Sequence, residues 1–216
     1  MAEVLIRPYV PADRESVRHI CCETADCGNP VESILPDRHL VADLMTRYYT
    51  DYEPQATWVA GSEGRVVGYL SGTVRPQRFF WINFVWVAPI AILRAIGRGV
   101  LFRRSTWRLL GAALTTWVRG GFHRRVPLRC YPCHLHINVQ PEFRGQRVGQ
   151  RLIERFLEQM RAARQAGVHV AVREDNPPAQ RLFQRLGFTE LSRHPFILPN
   201  GSARHVTSMV MYARRA

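Results

Sequence analysis

The feature that most constrains the fold is a two-faced strand that leads through a short turn into a long helix. Apolar and polar residues alternate over residues 134–139, the two-residue period of a strand with one apolar face. From Arg147 to Ala166, apolar residues recur instead at the spacing of an amphipathic helix. Strand–turn–helix units of this kind build sheets covered by helices, so the sequence predicts a mixed α/β fold.

The elements predicted on either side of this unit fit the same class. Those before it are a strand from Val4, helices from Pro11 to about Cys22 and from Arg38 to Tyr49, and strands 57–60 and 65–73 joined by a turn at Ser62-Glu-Gly. Those after it are a strand 168–173, a helix from Pro177 to Leu186 ended by Gly187, and a terminal hairpin of 196–198 and 205–212 across Pro199-Asn-Gly. Together they predict a central mixed sheet with helices on it.

The turn between the central strand and the helix has the chemistry of an anion site. The first N–H groups of a helix have no intrahelical partner and carry the positive end of the helix dipole. Gly145 and Gly149 would let a large anion approach the backbone closely. The turn is therefore predicted to bind phosphate through main-chain donors.

Two motifs in this region resemble those of the Gcn5-related N-acetyltransferases (GNAT). Arg144-Gly-Gln-Arg-Val-Gly149 is similar to the pyrophosphate-binding motif Arg/Gln-x-x-Gly-x-Gly/Ala, with Arg147 in place of the first glycine. Asn176-Pro-Pro-Ala-Gln-Arg-Leu-Phe183-Gln-Arg-Leu-Gly-Phe188 looks like Asn-x-x-Ala-x-x-Leu-Tyr-x-x-x-Gly-Phe. Because both motifs occur in order on suitable elements, the chain is identified as a member of this superfamily. A weaker similarity links Ile6-Arg-Pro-Tyr, Thr24-Ala-Asp-Cys-Gly and Tyr131-Pro-Cys-His-Leu-His-Ile to acetyltransferase-like domains that accompany O-GlcNAc hydrolases.

The resemblance implies an N-acetyltransferase in which a primary amine, on a small molecule or a protein, attacks the thioester of acetyl-CoA directly. It implies no metal and no covalent enzyme intermediate. The residues that it assigns to the cofactor are the strand backbone of Ile137, Asn138 and Val139, the turn donors of Arg144, Gly145, Gln146, Arg147, Val148, Gly149 and Gln150, and the side chains of Asn176 and Phe183.

Phe183 occupies the position where many relatives carry a tyrosine that protonates the departing thiolate. A phenyl ring donates no proton, so the thiolate either leaves unaided or uses another donor. This departure keeps an alternative open: a non-catalytic acyl-CoA-binding or membrane-surface interaction module of the same fold.

His136 and His134 are the candidate general bases. They share a strand face with Asn138, beside the expected position of the thioester, and imidazole titrates near neutral pH. Glu174 and Asp175 are alternative bases, although loop carboxylates at this position more often cap a helix. Cys130-Tyr-Pro-Cys133-His134 matches haem-attachment and redox motifs and could supply part of a zinc site. Haem attachment needs an export signal, a redox pair favours a helix N-terminus, and zinc needs ligands that no second Cys-x-x-Cys supplies, so simple entry into the strand is favoured.

The chain is predicted to form a single domain, residues 1–216. Residues 75–129 interrupt its order of strands and helices and are predicted to be an Arg/Trp-rich helical insertion between the third and fourth strands. The insertion holds four of the five tryptophans and no acidic residue. Its eleven arginines carry most of the net charge of +13: Arg75, Arg78, Arg94, Arg98, Arg103, Arg104, Arg108, Arg119, Arg124, Arg125 and Arg129. Such asymmetry indicates a local anionic partner.

Three roles are open for the insertion: a lid or packed helical hairpin, contact with an anionic membrane surface, and nucleic-acid binding, which its aliphatic content makes unlikely. Trp107, Leu110, Leu114 and Trp117 predict an amphipathic helix within it. Its longest uncharged run, residues 79–93, falls short of the roughly 18 apolar residues of a spanning helix. With no signal peptide recognised, the expected location is cytoplasmic, with peripheral membrane contact through the insertion.

Overall fold

A computed structural model describes residues 3–35, 37–121, 126–200 and 203–215. The described residues form one sheet of seven strands in the order β1-β2-β3-β4-β5-β7-β6. The strands are β1 (Leu5–Pro8), β2 (Thr57–Ser62), β3 (Arg65–Thr73), β4 (Cys133–Val139), β5 (Gly167–Arg173), β6 (Thr189–Asn200) and β7 (Ala203–Arg215). Neighbouring strands are antiparallel except β4 and β5, which are parallel. The predicted mixed α/β class is confirmed.

Seven α-helices are present in the described ranges. They are α1 (Arg14–Thr24), α2 (Arg38–Arg47), α3 (Pro76–Ile82), α4 (Ala88–Gly97), α5 (Arg104–Val118), α6 (Val148–Ala162) and α7 (Pro177–Arg185). The helix predicted to run to Ala166 ends at Ala162, because the chain turns at Arg164 with a positive φ of 52°. The turn predicted at Pro199-Asn-Gly includes Gly201, which lies outside the described residues.

The sheet is covered on both faces. One face packs on α6 and α7, where Leu152, Phe156 and Met160 join the apolar side chains of the central strands in the main core. The other face is covered by α1, whose Val17 and Ile20 pack on Tyr69 of β3. Alternating strand residues therefore face two different layers, as the sequence pattern predicts.

The insertion joins β3 to β4, as predicted. Its helices α3 and α4 run into each other through a π-helical turn, Asn83–Val87, and α4 packs on α2 through Ala91 and Ala95. Arg98 pairs with Asp37 at 2.9 Å, and Arg94 lies 3.8 Å from Asp43. These contacts attach the first half of the insertion to the body of the protein. Arg124 and Arg125 lie outside the described residues.

The second half of the insertion packs on the terminal hairpin with an unexpected orientation. Helix α5 lies against β6, and the Thr116 hydroxyl accepts a 3.0 Å hydrogen bond from the Ile197 N–H. The buried residues of α5 are small: Thr106, Ala112 and Thr116. The large apolar residues that the amphipathic pattern picks out point outward: Trp107, Leu110, Leu114 and Trp117.

The expectation that the uncharged run is too short to span a membrane needs correction. Helices α3 and α4 form one continuous helix, Pro76–Gly97, of 22 residues. By length and composition this helix is able to cross a membrane, because two arginines inside it do not interrupt its apolar character. Unlike the core helix of a soluble protein, it is mostly exposed.

Candidate active site

The central feature of the site is a wedge between β4 and β5. The two parallel strands pair at Cys133 with Val168 and at His134 with His169, and no further pair joins them in the described ranges. Beyond that point β4 stays paired with β3 as far as Val139, while β5 stays paired with β7 as far as Arg173. The strands therefore diverge toward their carboxyl ends, so the main chain of Ile137–Val139 borders an opening instead of a neighbouring strand.

The turn after β4 is shaped by two residues with positive φ. Gly145 has a φ of 77°, and a Cβ built there would meet no described atom within 4 Å. Arg147, at the N-cap of α6, has a φ of 59° and a ψ of 13°. Left-handed backbone costs about 1–2 kcal/mol in a non-glycine residue. Arg147 replaces the glycine of the related motif, so it adopts the backbone conformation that a glycine would adopt without strain.

The first turn of α6 is held firmly by packing. The side chain of Val148 is buried in the main core. A Cβ built on Gly149 would lie 3.3 Å from Leu182 Cδ2 and 3.7 Å from Ile137 Cδ1, so a side chain there would press on α7 and β4. Gln146 and Gln150 complete the turn, and the Gln146 side chain donates to the Glu142 carbonyl at 2.9 Å. The N–H groups at this helix start are fixed in place, next to the exposed arginines of the turn.

A loop between α1 and α2 bridges the two sides of the wedge, a feature that sequence reasoning missed. On the β5 side, Arg173 forms an ion pair with Asp26. On the β4 side, Arg144 donates to the Val139 carbonyl at 3.1 Å, and its guanidinium lies so close to Gly28 that a Cβ there would be 2.5 Å from Arg144 Nη1. Gly28 has a φ of 102°, which permits this approach. The loop therefore forms a wall of the opening.

The polar face of β4 carries the two candidate bases in an aromatic setting. His134 Nε2 lies 2.7 Å from the Tyr49 hydroxyl, and its ring packs edge-on against Phe79 at a centroid distance of 4.5 Å. His136 is more exposed, with its ring 5.7 Å from Tyr49 and 5.8 Å from His134. The structure brings both predicted histidines onto one side of the sheet, opposite α6.

Buried tyrosines from neighbouring elements form hydrogen bonds with the polar side chains of β4. Tyr49 lies in a π-helical turn, Tyr48–Tyr52, at the end of α2, and π-helical turns often occur at functional sites. Burial raises the pKa of Tyr49 well above 10, and its hydroxyl shares a hydrogen bond with His134 Nε2. Tyr69 accepts a 2.8 Å hydrogen bond from Asn138, and burial raises its pKa as well. The aromatic run Tyr48-Tyr-Thr-Asp-Tyr52 was the available sequence signal for the partner of His134.

The remaining predicted site residues lie around α7. Asn176 is the N-cap of α7, and its side-chain oxygen accepts from the Ala179 N–H at 3.2 Å. Phe183 is 2% exposed and packs edge-on against Phe188. Its ring lies in the core, so contact with a bound cofactor would require that packing to open. Glu174 pairs with Arg193, and Asp175 pairs with Arg173.

The Cys-x-x-Cys-His segment enters β4 as expected. Cys133 is the first residue of the strand and fully buried, and burial raises the pKa of its thiol to about 12. Cys130 is exposed. A buried thiol that resists ionisation is a poor nucleophile and a poor redox partner.

The sequence model of the acetyltransferase (GNAT) family matches residues 120–188. Among solved structures, the chain is similar to SsHAT, with 27% identity, a TM-score of 0.71, and coverage of 99% of this chain and 98% of that one. This similarity and the family match cover the wedge, the turn and α7.

More distant structures share the fold. YncA from Salmonella typhimurium, solved with its cofactor acetyl-CoA, is 15% identical with a TM-score of 0.59 over 98% of this chain and 93% of that chain. A polyamine N-acetyltransferase from Drosophila melanogaster is 16% identical with a TM-score of 0.60 over 99% of this chain and 100% of that chain. Residues 120–188 thus match the GNAT acetyltransferase family, and the chain shares its fold with acetyltransferases of known structure. The similarity to domains that accompany O-GlcNAc hydrolases stays a prediction.

Proposed function

We propose that this protein transfers an acetyl or other acyl group from coenzyme A to a primary amine by direct attack. The observation that carries the proposal is the wedge between β4 and β5, which opens directly beside the left-handed turn at the start of α6. A strand edge that borders an opening instead of a neighbouring strand suits the amide-containing arm of the cofactor. A helix N-terminus behind a glycine turn suits its pyrophosphate.

The turn fits this group on two physical grounds. Gly145 leaves the backbone open to close approach, since no described atom would contact a Cβ there. Arg144 and Arg147 are exposed and add positive charge to the dipole of α6. The N–H groups from Gly145 to Gln150 would hold the pyrophosphate, since the Arg144 N–H donates to the Pro141 carbonyl at 3.1 Å. The main chain of Ile137, Asn138 and Val139 would orient the thioester.

His136 is the better candidate for the general base. His134 Nε2 is already engaged with the Tyr49 hydroxyl at 2.7 Å. His136 lies nearer to solvent on the same face, where it would take the proton of an incoming ammonium group. His134 and Tyr49 would then hold the polar face of β4 in position.

The leaving group does not require a protein acid in this scheme. Phe183 provides no proton, and its ring packs in the core. A thiol has a pKa of about 8.5, so a thiolate is stable enough to depart unprotonated near neutral pH. Protonation of the coenzyme thiol would follow from water.

The proposal is tested by acetyl-CoA-dependent thiol release with a panel of primary amines. The wild-type chain should release thiol with at least one amine. His136→Gln should lower kcat by roughly 10²–10⁴-fold and remove the acidic limb of its pH profile. His19→Gln, an exposed histidine on α1, is the matched control and should leave the profile unchanged.

Two outcomes would contradict the proposal. An unaltered pH profile in His136→Gln would remove His136 from the base role. Tight acetyl-CoA binding with no thiol release for any amine would favour a non-catalytic acyl-CoA-binding module, the alternative that Phe183 keeps open.

A further inference from the structure

The insertion presents an outward-facing aromatic surface that the acyltransferase site does not use. We call it the aromatic face and define it by Phe80, Trp81, Phe84, Phe102, Trp107 and Trp117. All six side chains are exposed, with Trp81 at 71%, Phe84 at 83% and Phe102 at 93%. Each of these large apolar side chains is exposed, and large exposed apolar patches are rare on soluble monomers and mark interaction sites.

The exposure follows from how the insertion packs. Helix Pro76–Gly97 meets the body of the protein through small or β-branched residues, Val87, Ala91 and Ala95. Helix α5 does the same through Thr106, Ala112 and Thr116. Both helices therefore place small residues inward and large ones outward, the reverse of a helix that covers a core.

The charge of the insertion indicates what covers the aromatic face. Residues 75–129 contain eleven arginines and no acidic residue. Six arginines close in sequence to the aromatic side chains are exposed: Arg75, Arg78, Arg103, Arg104, Arg108 and Arg119. A second copy of this chain would bring a surface of the same charge against it, which is unfavourable. An anionic bilayer offers negative headgroups for the arginines and an apolar interior for the aromatic rings.

The attachment of the helix favours lying on the bilayer over crossing it. Arg94 and Arg98 are held near Asp43 and Asp37 of the body, and Ala91 and Ala95 are buried against α2. A spanning helix would have to break these contacts, because lipid would surround it on all sides. With them intact, one side of the helix remains for lipid, which is the geometry of an interfacial helix.

We propose that the aromatic face docks the protein onto an anionic lipid bilayer, with the rings inserted at headgroup level and the arginines on lipid phosphates. Docking has a consequence for the site. Phe79, which precedes the aromatic face on the same helix, contacts the His134 ring at 4.5 Å. The candidate acceptor side of the sheet therefore lies close to the bilayer surface.

The test is co-sedimentation of the full chain with vesicles of phosphatidylcholine, with and without phosphatidylglycerol. The wild-type chain should sediment with the anionic vesicles and much less with pure phosphatidylcholine, and added salt should weaken binding. The double variant Trp81→Ser with Phe84→Ser should lower the partition coefficient by roughly tenfold or more. Leu5→Ser, which removes a 61% exposed leucine on β1, is the matched control and should bind like wild type.

Variants that remove positive charge distinguish recognition of anionic lipid from nonspecific hydrophobic adsorption. Arg104→Gln with Arg119→Gln should weaken binding to anionic vesicles by about fivefold per arginine. Arg161→Gln, on the opposite layer in α6, should change it little. Circular dichroism of each variant checks that the fold is retained, so a loss of binding reports on the surface.

Four results would overturn the proposal. The first is equal sedimentation of wild type and the Trp81/Phe84 variant, and the second is equal binding to neutral and anionic vesicles. The third is resistance to alkaline carbonate extraction, which would assign the helix to a span. The fourth is a dimer by light scattering that Trp81→Ser dissociates, without vesicle binding, which would assign the face to a second copy.

Discussion

Helices α5 and α6 have the same length, 15 residues, and both are amphipathic in sequence, yet they use their apolar faces in opposite ways. Helix α6 buries Leu152, Phe156 and Met160 in the main core. Helix α5 exposes Trp107 and Trp117 and packs on β6 through small residues. Periodicity thus predicts that a helix has two faces but does not predict which face meets the protein.

The difference lies in what surrounds each helix. Helix α6 follows β4 directly, and the strands beside it supply an apolar surface. Helix α5 belongs to a segment with many arginines and no acidic residue, and its neighbour β6 meets it through a hydrogen bond to Thr116. The charge of the surrounding segment was the better guide to orientation.

The largest expected effect comes from truncating the two helices at their most apolar positions. Phe156→Ala should lower the free energy of unfolding by about 3–5 kcal/mol, because it opens a cavity in the core. Trp107→Ala, on the outward face of α5, should change it by less than about 0.5 kcal/mol. Urea denaturation of both variants measures the contrast. Similar losses would mean that α5 buries its aromatic side in solution.

A smaller effect tests how the inner face of α5 is held. Thr116→Val keeps the shape of the side chain but removes the acceptor of the Ile197 N–H, which should cost about 1–3 kcal/mol. Hydrogen exchange of the Ile197 amide should accelerate, while the Val210 amide at the sheet centre stays protected. An unchanged Ile197 amide would show that the hydroxyl contributes little to docking of the insertion.

The smallest effect concerns the turn that leads into α6. Arg147→Gly should raise the free energy of unfolding by about 0.5–1 kcal/mol, because glycine relieves the left-handed strain. Thermal unfolding at constant pH measures the gain, and Arg164→Gly at the other end of α6, with a φ of 52°, gives a matched comparison. A loss of stability in Arg147→Gly would mean that the arginine side chain stabilises the turn by more than its backbone strain.

Much of the site's framework was predictable because it depends on local pattern. Alternation in β4, the glycine turn and the period of α6 together predicted the strand, the turn and the helix where the structure has them, and the insertion was placed between the correct strands. Anion binding at that turn stays a prediction. The divergence of β4 from β5 was not readable from the residues, since strand pairing depends on contacts distant in sequence.

The misses share a physical origin in long-range contacts. The hydrogen bond from Tyr49 to His134 joins residues 85 positions apart, and the Asp26–Arg173 pair joins residues 147 apart. The left-handed conformation of Arg147 could not be predicted from the sequence, because arginine rarely adopts it. The continuous helix Pro76–Gly97 was not predicted, because the apolar run was counted only between Arg78 and Arg94, which a helix tolerates at its surface.

Calorimetric titration with acetyl-CoA tests most directly whether the turn after β4 binds the coenzyme. Gly145→Val and Gly64→Val place the same side chain on glycines with φ of 77° and 79°, neither of which has a described atom within 4 Å of an added Cβ. Backbone strain is therefore matched, while Gly64 lies in the β2–β3 hairpin turn, outside the turn that leads into α6 and separated by β4 from the β4–β5 opening. Gly145→Val should weaken acetyl-CoA binding at least roughly tenfold, about 1.4 kcal/mol, and Gly64→Val should not. Equal affinity in the two variants, or no binding by the wild-type chain, would contradict the account.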